Sequence, residues 1–160
     1  MIALFDVVLF LLVATAFTLS KVPKKTAIGA CMVLLALCWL YNIVLPGSLL
    51  YWYLALTDVA VGALLTFEAC RLHKFTDRMY YLAMASFLTA SAAINTAYLC
   101  DIGAYSSYPL YVDTSEKIGL IHALFMLGFS DGLIDSRIST KMFRWLFGDY
   151  ARSHHRTAGI

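Results

Sequence analysis

Five long apolar stretches, separated by short segments that hold nearly all the positive charge, constrain this chain more than any other feature. They are Ile2 to Ser20, Thr26 to Leu45, Leu49 to Cys70, Met79 to Cys100, and Ile118 to about Ile134. A helix needs about 20 mostly apolar residues to cross the hydrocarbon of a bilayer. Each stretch is apolar on nearly every side, which suits a helix surrounded by lipid rather than one with a single buried face. The fifth is the shortest. Hydrophobic residues make up 61% of the chain and charged residues 14%, whereas soluble domains carry about 25% charged residues. A soluble protein of this composition would expose large adhesive patches. The expected fold class is therefore an all-α integral membrane protein, a five-helix transmembrane bundle spanning residues 1–136.

The basic residues set the orientation. Lys21, Lys24 and Lys25 lie between the first two stretches; Arg71, Lys74 and Arg78 lie between the third and fourth. Arg137, Lys141, Arg144, Arg152 and Arg156 follow the fifth. With five crossings, all of these fall on one side, and Lys117 alone falls on the other. Cationic residues remain on the cytoplasmic side of inner membranes, so the N-terminus is expected outside and the C-terminus in the cytoplasm. Ala14-Thr15-Ala16 resembles a signal-peptide cleavage site. However, no Lys or Arg precedes the apolar run, and Asp6 interrupts it. The segment reads as a retained helix.

Residues 137–160 have a different pattern. Ile138, Met142, Trp145, Leu146 and Tyr150 share one helical face, flanked by Arg137, Lys141, Arg144 and Asp149. This predicts an amphipathic helix at the cytoplasmic surface, in contact with anionic lipid or docked on a protein partner. Small residues recur along the fourth stretch at Ala85, Thr89, Ala93 and Ala97, which predicts a central, closely packed helix. Gly128 and Gly132 make a GxxxG step in the fifth, expected to serve packing within the protomer rather than dimerisation. The segment Asp101 to Glu116 reads as the longest outer loop, with Tyr105, Tyr108 and Tyr111 as headgroup anchors beside Tyr98.

Each apolar stretch carries one strongly polar residue in its outer half: Asp6, Asn42, Asp58, Asn95 and His122. At 1.5 Å per residue, they lie roughly 5 to 13 Å from the outer helix ends. Such groups are costly in hydrocarbon unless paired or hydrated. Two readings fit this shared depth. One is a hydrogen-bond network that fixes helix register. The other is a polar cavity open to the outside, with Asp58 and His122 as a proton-binding or ligand-binding pair. At the inner side stand Glu68, Asp131 and Asp135. Glu68 precedes Arg71 by three residues, which suggests a local ion pair. If Asp131 and Asp135 face the bundle centre, the two polar sets would form a path across the membrane.

Chemical motifs are sparse. The sequence contains no HExxH, GxSxG, P-loop or GxGxxG pattern and no zinc-ligand spacing. Cys31 and Cys38 stand two turns apart, too far for a disulfide within one helix. His122 has no intramembrane histidine to pair with as a haem ligand. The expectation is a non-catalytic protein without cofactor, metal or nucleic acid. Two functions remain open. The first is a structural, anchoring or assembly subunit of a bacterial or phage-encoded inner-membrane complex, associating with itself or with a membrane or cytoplasmic protein. The second is a small transporter or pore, proton-linked or holin-like, built on the polar layer.

Overall fold

The computed structural model describes residues 4–45, 48–100, 108–133 and 136–147. They form six α-helices: α1 (Leu4–Leu19), α2 (Lys24–Val44), α3 (Ser48–Arg71), α4 (Phe75–Cys100), α5 (Tyr108–Gly128) and α6 (Ser136–Phe147). No strand occurs among the described residues. Three helices are long and apolar enough to cross a membrane: Lys24–Val44, Leu49–Arg71 and Phe75–Cys100. The apolar helix α1 is shorter at 16 residues. The first half of α5 carries Asp113, Glu116 and Lys117.

The helix ends follow local rules. Leu45 leaves α2 in an extended conformation, with φ −103° and ψ 129°. The proline at 46 imposes this, because its ring disfavours helical geometry in the preceding residue. Only three residues, Leu72 to Lys74, connect α3 to α4. So short a link makes the two helices antiparallel neighbours, and they form the most extensive helix pair in the bundle. Gly62 lies at their contact, where a Cβ would make ordinary van der Waals contact, 3.6 Å from the Ala85 carbonyl oxygen and 3.7 Å from the Leu88 Cβ. α4 is the central helix, packed against α2, α3, α5 and α6. Its buried face, however, runs through Tyr80, Met84, Leu88, Ala92 and Asn95, while Ala93 and Ala97 are exposed.

The outside of the bundle is apolar. Leu11 on α1, Leu40 on α2, Leu56 and Phe67 on α3, and Leu124 on α5 all project outward. Serine and threonine hydroxyls on these helices bond back to their own backbone. Those of Thr66, Ser86, Thr89 and Thr96 each donate to the carbonyl four residues earlier, at 2.8–2.9 Å. A hydroxyl satisfied in this way needs no water. The surface therefore matches a hydrocarbon solvent, where every polar group must find its partner within the protein.

The fifth segment departs most from the sequence expectation. α5 begins at Tyr108, inside the expected loop, and ends at Gly128, short of Ile134. Pro109 stands where proline favours helix initiation. Asp113 and Lys117 then form an i,i+4 ion pair across one turn. The GxxxG step accordingly lies across a helix end rather than along one helix. Gly132 belongs to the turn after α5, and it packs against the end of α1. A Cβ at Gly132 would fall 3.0 Å from the Leu19 Cβ and 3.2 Å from its carbonyl oxygen, whereas a Cβ at Gly128 would meet nothing within 4 Å. Gly132→Ala should destabilise the bundle by about 1–3 kcal/mol, as overpacking does. Gly128→Ala should stay within about 1 kcal/mol of wild type. Unfolding of the two variants in detergent measures this, and equal stabilities would contradict the packing described.

Candidate functional site

α1 to α5 enclose a cavity of about 510 Å³ toward the end of the bundle where α1 begins, here the Asp6 end. Asp6, Asn42, Asp58, Asn95 and His122 all line it. These are the five outer polar residues singled out in the sequence, one from each helix. Antiparallel helices produce this convergence. Asp6 is near the start of α1 and Asn42 near the end of α2. Asp58 lies in the first half of α3, Asn95 near the end of α4, and His122 in the second half of α5.

Asp58, Asn95 and His122 are buried, Asp6 is half-buried and Asn42 is exposed. The Tyr111 hydroxyl donates to Asn95 Oδ1 at 2.7 Å. That bond fixes the amide so that Asn95 Nδ2 turns toward Asp58 Oδ2, 3.5 Å away, at the outer limit of hydrogen-bonding distance. Tyr51, Tyr98 and Tyr111 pack ring against ring beside this chain, with centroids 4.5–5.3 Å apart. Tyr111, expected in a loop as a headgroup anchor, is instead half-buried in the first turns of α5 and bonded to Asn95. The Asp113–Lys117 spacing was the signal that could have placed it on a helix.

His122 stacks on Phe87 at 4.8 Å, and its Nε2 lies 3.1 Å from the Met84 sulfur. Asp58 and His122 line the same cavity without forming a hydrogen bond or ion pair with each other. The two groups are therefore not in direct contact, and any coupling between them would run across the cavity space. Asn42 donates to the Cys38 carbonyl of its own helix at 2.9 Å. Cys31, Cys38, Ser91 and Glu116 also line the cavity.

The opposite end of the bundle is closed by a lock that the sequence did not reveal. Lys24 is buried; its Nζ donates to the Phe129 carbonyl and to Asp131 Oδ1, each at 2.9 Å. The ammonium also sits 5.5 Å from the Tyr80 ring centroid. The Lys21 backbone N–H donates to Asp131 Oδ2 at 2.9 Å, and the Tyr81 hydroxyl donates to the Pro23 carbonyl at 2.8 Å. The α1–α2 connection is thus tied to α4 and to the turn after α5. Lys24 counted as one more cytoplasmic cation in the sequence, and its spacing gave no sign of a partner more than a hundred residues away.

Asp131 consequently does not continue a polar path from the cavity. Between the two ends lie fully buried apolar side chains: Val13, Ala16, Ala27, Ile28, Met84 and Ala123. Glu68 is exposed and paired with Arg71 at 3.1 Å. Asp135 lies outside the described residues. Arg137 is on α6, but its side chain is outside them too. Lys141, Arg144 and Trp145 are exposed on α6. Among the described residues, no group of three or more His, Cys, Asp or Glu side chains could hold a metal ion. Comparison with known protein families, with characterised proteins and with solved structures finds no match to this chain.

The lock makes a stability prediction. Partial burial pushes the Asp131 carboxyl up, but the Lys21 N–H and the Lys24 ammonium outweigh it and hold the group below the usual carboxylate range. A depressed carboxyl contributes stability that is present above its unfolded pKa and lost as pH falls through the folded value. The lock should therefore hold at neutral pH and weaken only below about pH 4. Lys24→Ala should cost about 3 kcal/mol by removing the ammonium from Asp131 and the Phe129 carbonyl, and Lys24→Met with Asp131→Leu should recover part of that loss. Denaturation in detergent, with both single variants and the double variant, checks the coupling. Additive effects would show that the pair does not act as a unit.

Proposed function

We propose that this chain is a non-catalytic, multi-pass inner-membrane protein that receives a small solute into its cavity from outside, as the binding step of a small transporter. In this reading, α1 to α5 all cross the bilayer, with the N-terminus outside and the C-terminus cytoplasmic. The shortness of α1 and the charges of α5 are accommodated because these two helices pack against each other. The Asp113–Lys117 pair then lies at the outer membrane surface. The observation that carries the reading is the convergence of one polar residue from each of five helices on a single cavity. A register-fixing network would be expected to close on itself, with the polar groups bonded to one another. Here the bonded set is Tyr111, Asn95, Asp58 and Ser91, while His122 and Asn42 bond elsewhere, to Met84 and to the Cys38 carbonyl. The buried apolar layer argues for a site that opens to one side rather than for a standing pore.

Cys38 provides a native probe, because it lines the cavity and is only partly buried. In a variant with Cys31, Cys70 and Cys100 replaced by Ser, a small membrane-impermeant methanethiosulfonate should modify Cys38 from the outside. Reagent confined to the cytoplasmic side should act roughly tenfold more slowly or less, since the apolar layer blocks its path. Reaction only after denaturation would remove the solute-binding reading.

A second reading, an assembly subunit, is favoured by α6. Ile138, Met142 and Trp145 are exposed along one face of it, beside exposed Lys141 and Arg144. Such a face suits an anionic membrane surface or a cytoplasmic protein. Removing residues 137–160 should leave insertion intact but reduce the oligomer or complex recovered in mild detergent. Unchanged recovery would count against this role.

A further inference from the structure

The chemistry of the cavity wall narrows the class of solute. Three carboxylates line it, from Asp6, Asp58 and Glu116, whereas no Lys or Arg does so among the described residues. Asp58 lies deepest of the three and is only 7% exposed. Its hydrogen-bond partners are the Ser91 side chain and, at 3.5 Å, the Asn95 amide, both neutral. A carboxylate so enclosed, with only neutral partners, lacks a counter-charge, and a positive charge in the cavity would supply it.

The remaining wall indicates what carries that charge. A bare metal ion requires several converging charged or oxygen ligands, and no group of three or more His, Cys, Asp or Glu side chains that could hold one occurs among the described residues. Most of the wall is apolar, including Leu34, Leu54 and Leu88, and Tyr51, Tyr111 and Phe87 supply aromatic rings. Tyr51 and Tyr111 meet nearly at right angles, 88° between ring planes, and form a corner of the cavity. Aromatic rings attract diffuse cations and also accept alkyl groups, which a strongly hydrated ion does not offer. A volume of about 510 Å³ falls in the range of small-molecule sites.

We propose that the cavity binds a small organic cation, an amine or quaternary ammonium, with Asp58 as its counter-charge and Tyr51, Tyr111 and Phe87 as its aromatic wall. The proposal rests on the solute-binding reading above and specifies the ligand for it.

The test uses the full chain with Cys38 as its one cysteine, in lipid nanodiscs, and three probes of matched shape. Choline carries the charge, 3,3-dimethyl-1-butanol lacks it, and 3,3-dimethylbutanoate reverses it. Choline should slow the modification of Cys38 and give a saturable heat in titration calorimetry, and the other two should do neither. Asp58→Asn should weaken choline binding by roughly tenfold or more, the loss expected when a poorly solvated ion pair is removed. Asp58→Glu, which keeps the charge, should bind choline better than Asp58→Asn. Asp113→Asn, outside the cavity, should bind choline as the parent does. Equal protection by the neutral alcohol, or undiminished binding in a folded Asp58→Asn variant, would overturn the proposal. So would the absence of any choline effect at about 50 mM, a concentration that would reveal even millimolar affinity. If Cys38 proves unreactive in the ligand-free protein, the solute-binding reading itself fails. If Cys38 reacts but choline does not protect it, only the ligand class is wrong.

Discussion

A polar group facing hydrocarbon without a partner costs several kcal/mol, and avoiding that cost organises this bundle. Threonine and serine hydroxyls turn back onto their own helices. Leucine, valine and phenylalanine take the outer surface as well as part of the core. The groups that cannot be satisfied locally, Asp58, Asn95 and His122, are drawn inside. They keep the five helices from packing as a uniform apolar bundle, and the cavity is where they collect. Small residues then decide how closely the elements approach, as Gly132 does against the end of α1.

The two ends solve the same problem differently. At the Lys24 end a full charge is buried, and it is compensated: the ammonium bonds to a carboxylate and a carbonyl and lies near an aromatic ring. That end reads as structural, because its geometry ties the α1–α2 connection and the turn after α5 together. At the Asp6 end, the Asp58 carboxyl has only neutral partners, Ser91 and Asn95, and no cation beside it among the described residues. Enclosing a carboxylate without a counter-charge gives up some stability, and concave sites with a few polar groups are where ligands bind. The fully buried layer around Ile28 and Met84 keeps the two ends apart.

Much of this was legible in the sequence, and the failures have definite causes. Apolar run length located α2, α3 and α4, because helices that meet lipid on most sides must be apolar on most sides. The shared depth of Asp6, Asn42, Asp58, Asn95 and His122 followed from counting 1.5 Å per residue, and the antiparallel helices bring those residues to one cavity. α5 was misread because Asp113, Glu116 and Lys117 lower its hydropathy, although the Asp113–Lys117 spacing marked a helix. Gly128 and Gly132 looked like one motif, since the sequence did not show that α5 ends between them. Tyr111 was placed in a loop because of the same low hydropathy, and Lys24 and Tyr81 were missed because their partners lie far away along the chain. Long-range pairs leave no local periodicity to read. Asp135 and the tail beyond Phe147 fall outside the described residues.

The central claim is that five crossings set the polar cavity at the outer face of the membrane. Reporters that are active on only one side of the bilayer, fused separately to each end of the full chain, test it most directly. The account predicts opposite signals, with the N-terminal reporter outside and the C-terminal reporter in the cytoplasm. The same signal from both ends would mean an even number of crossings, and the residues around Asp58 would then no longer share one depth in the membrane.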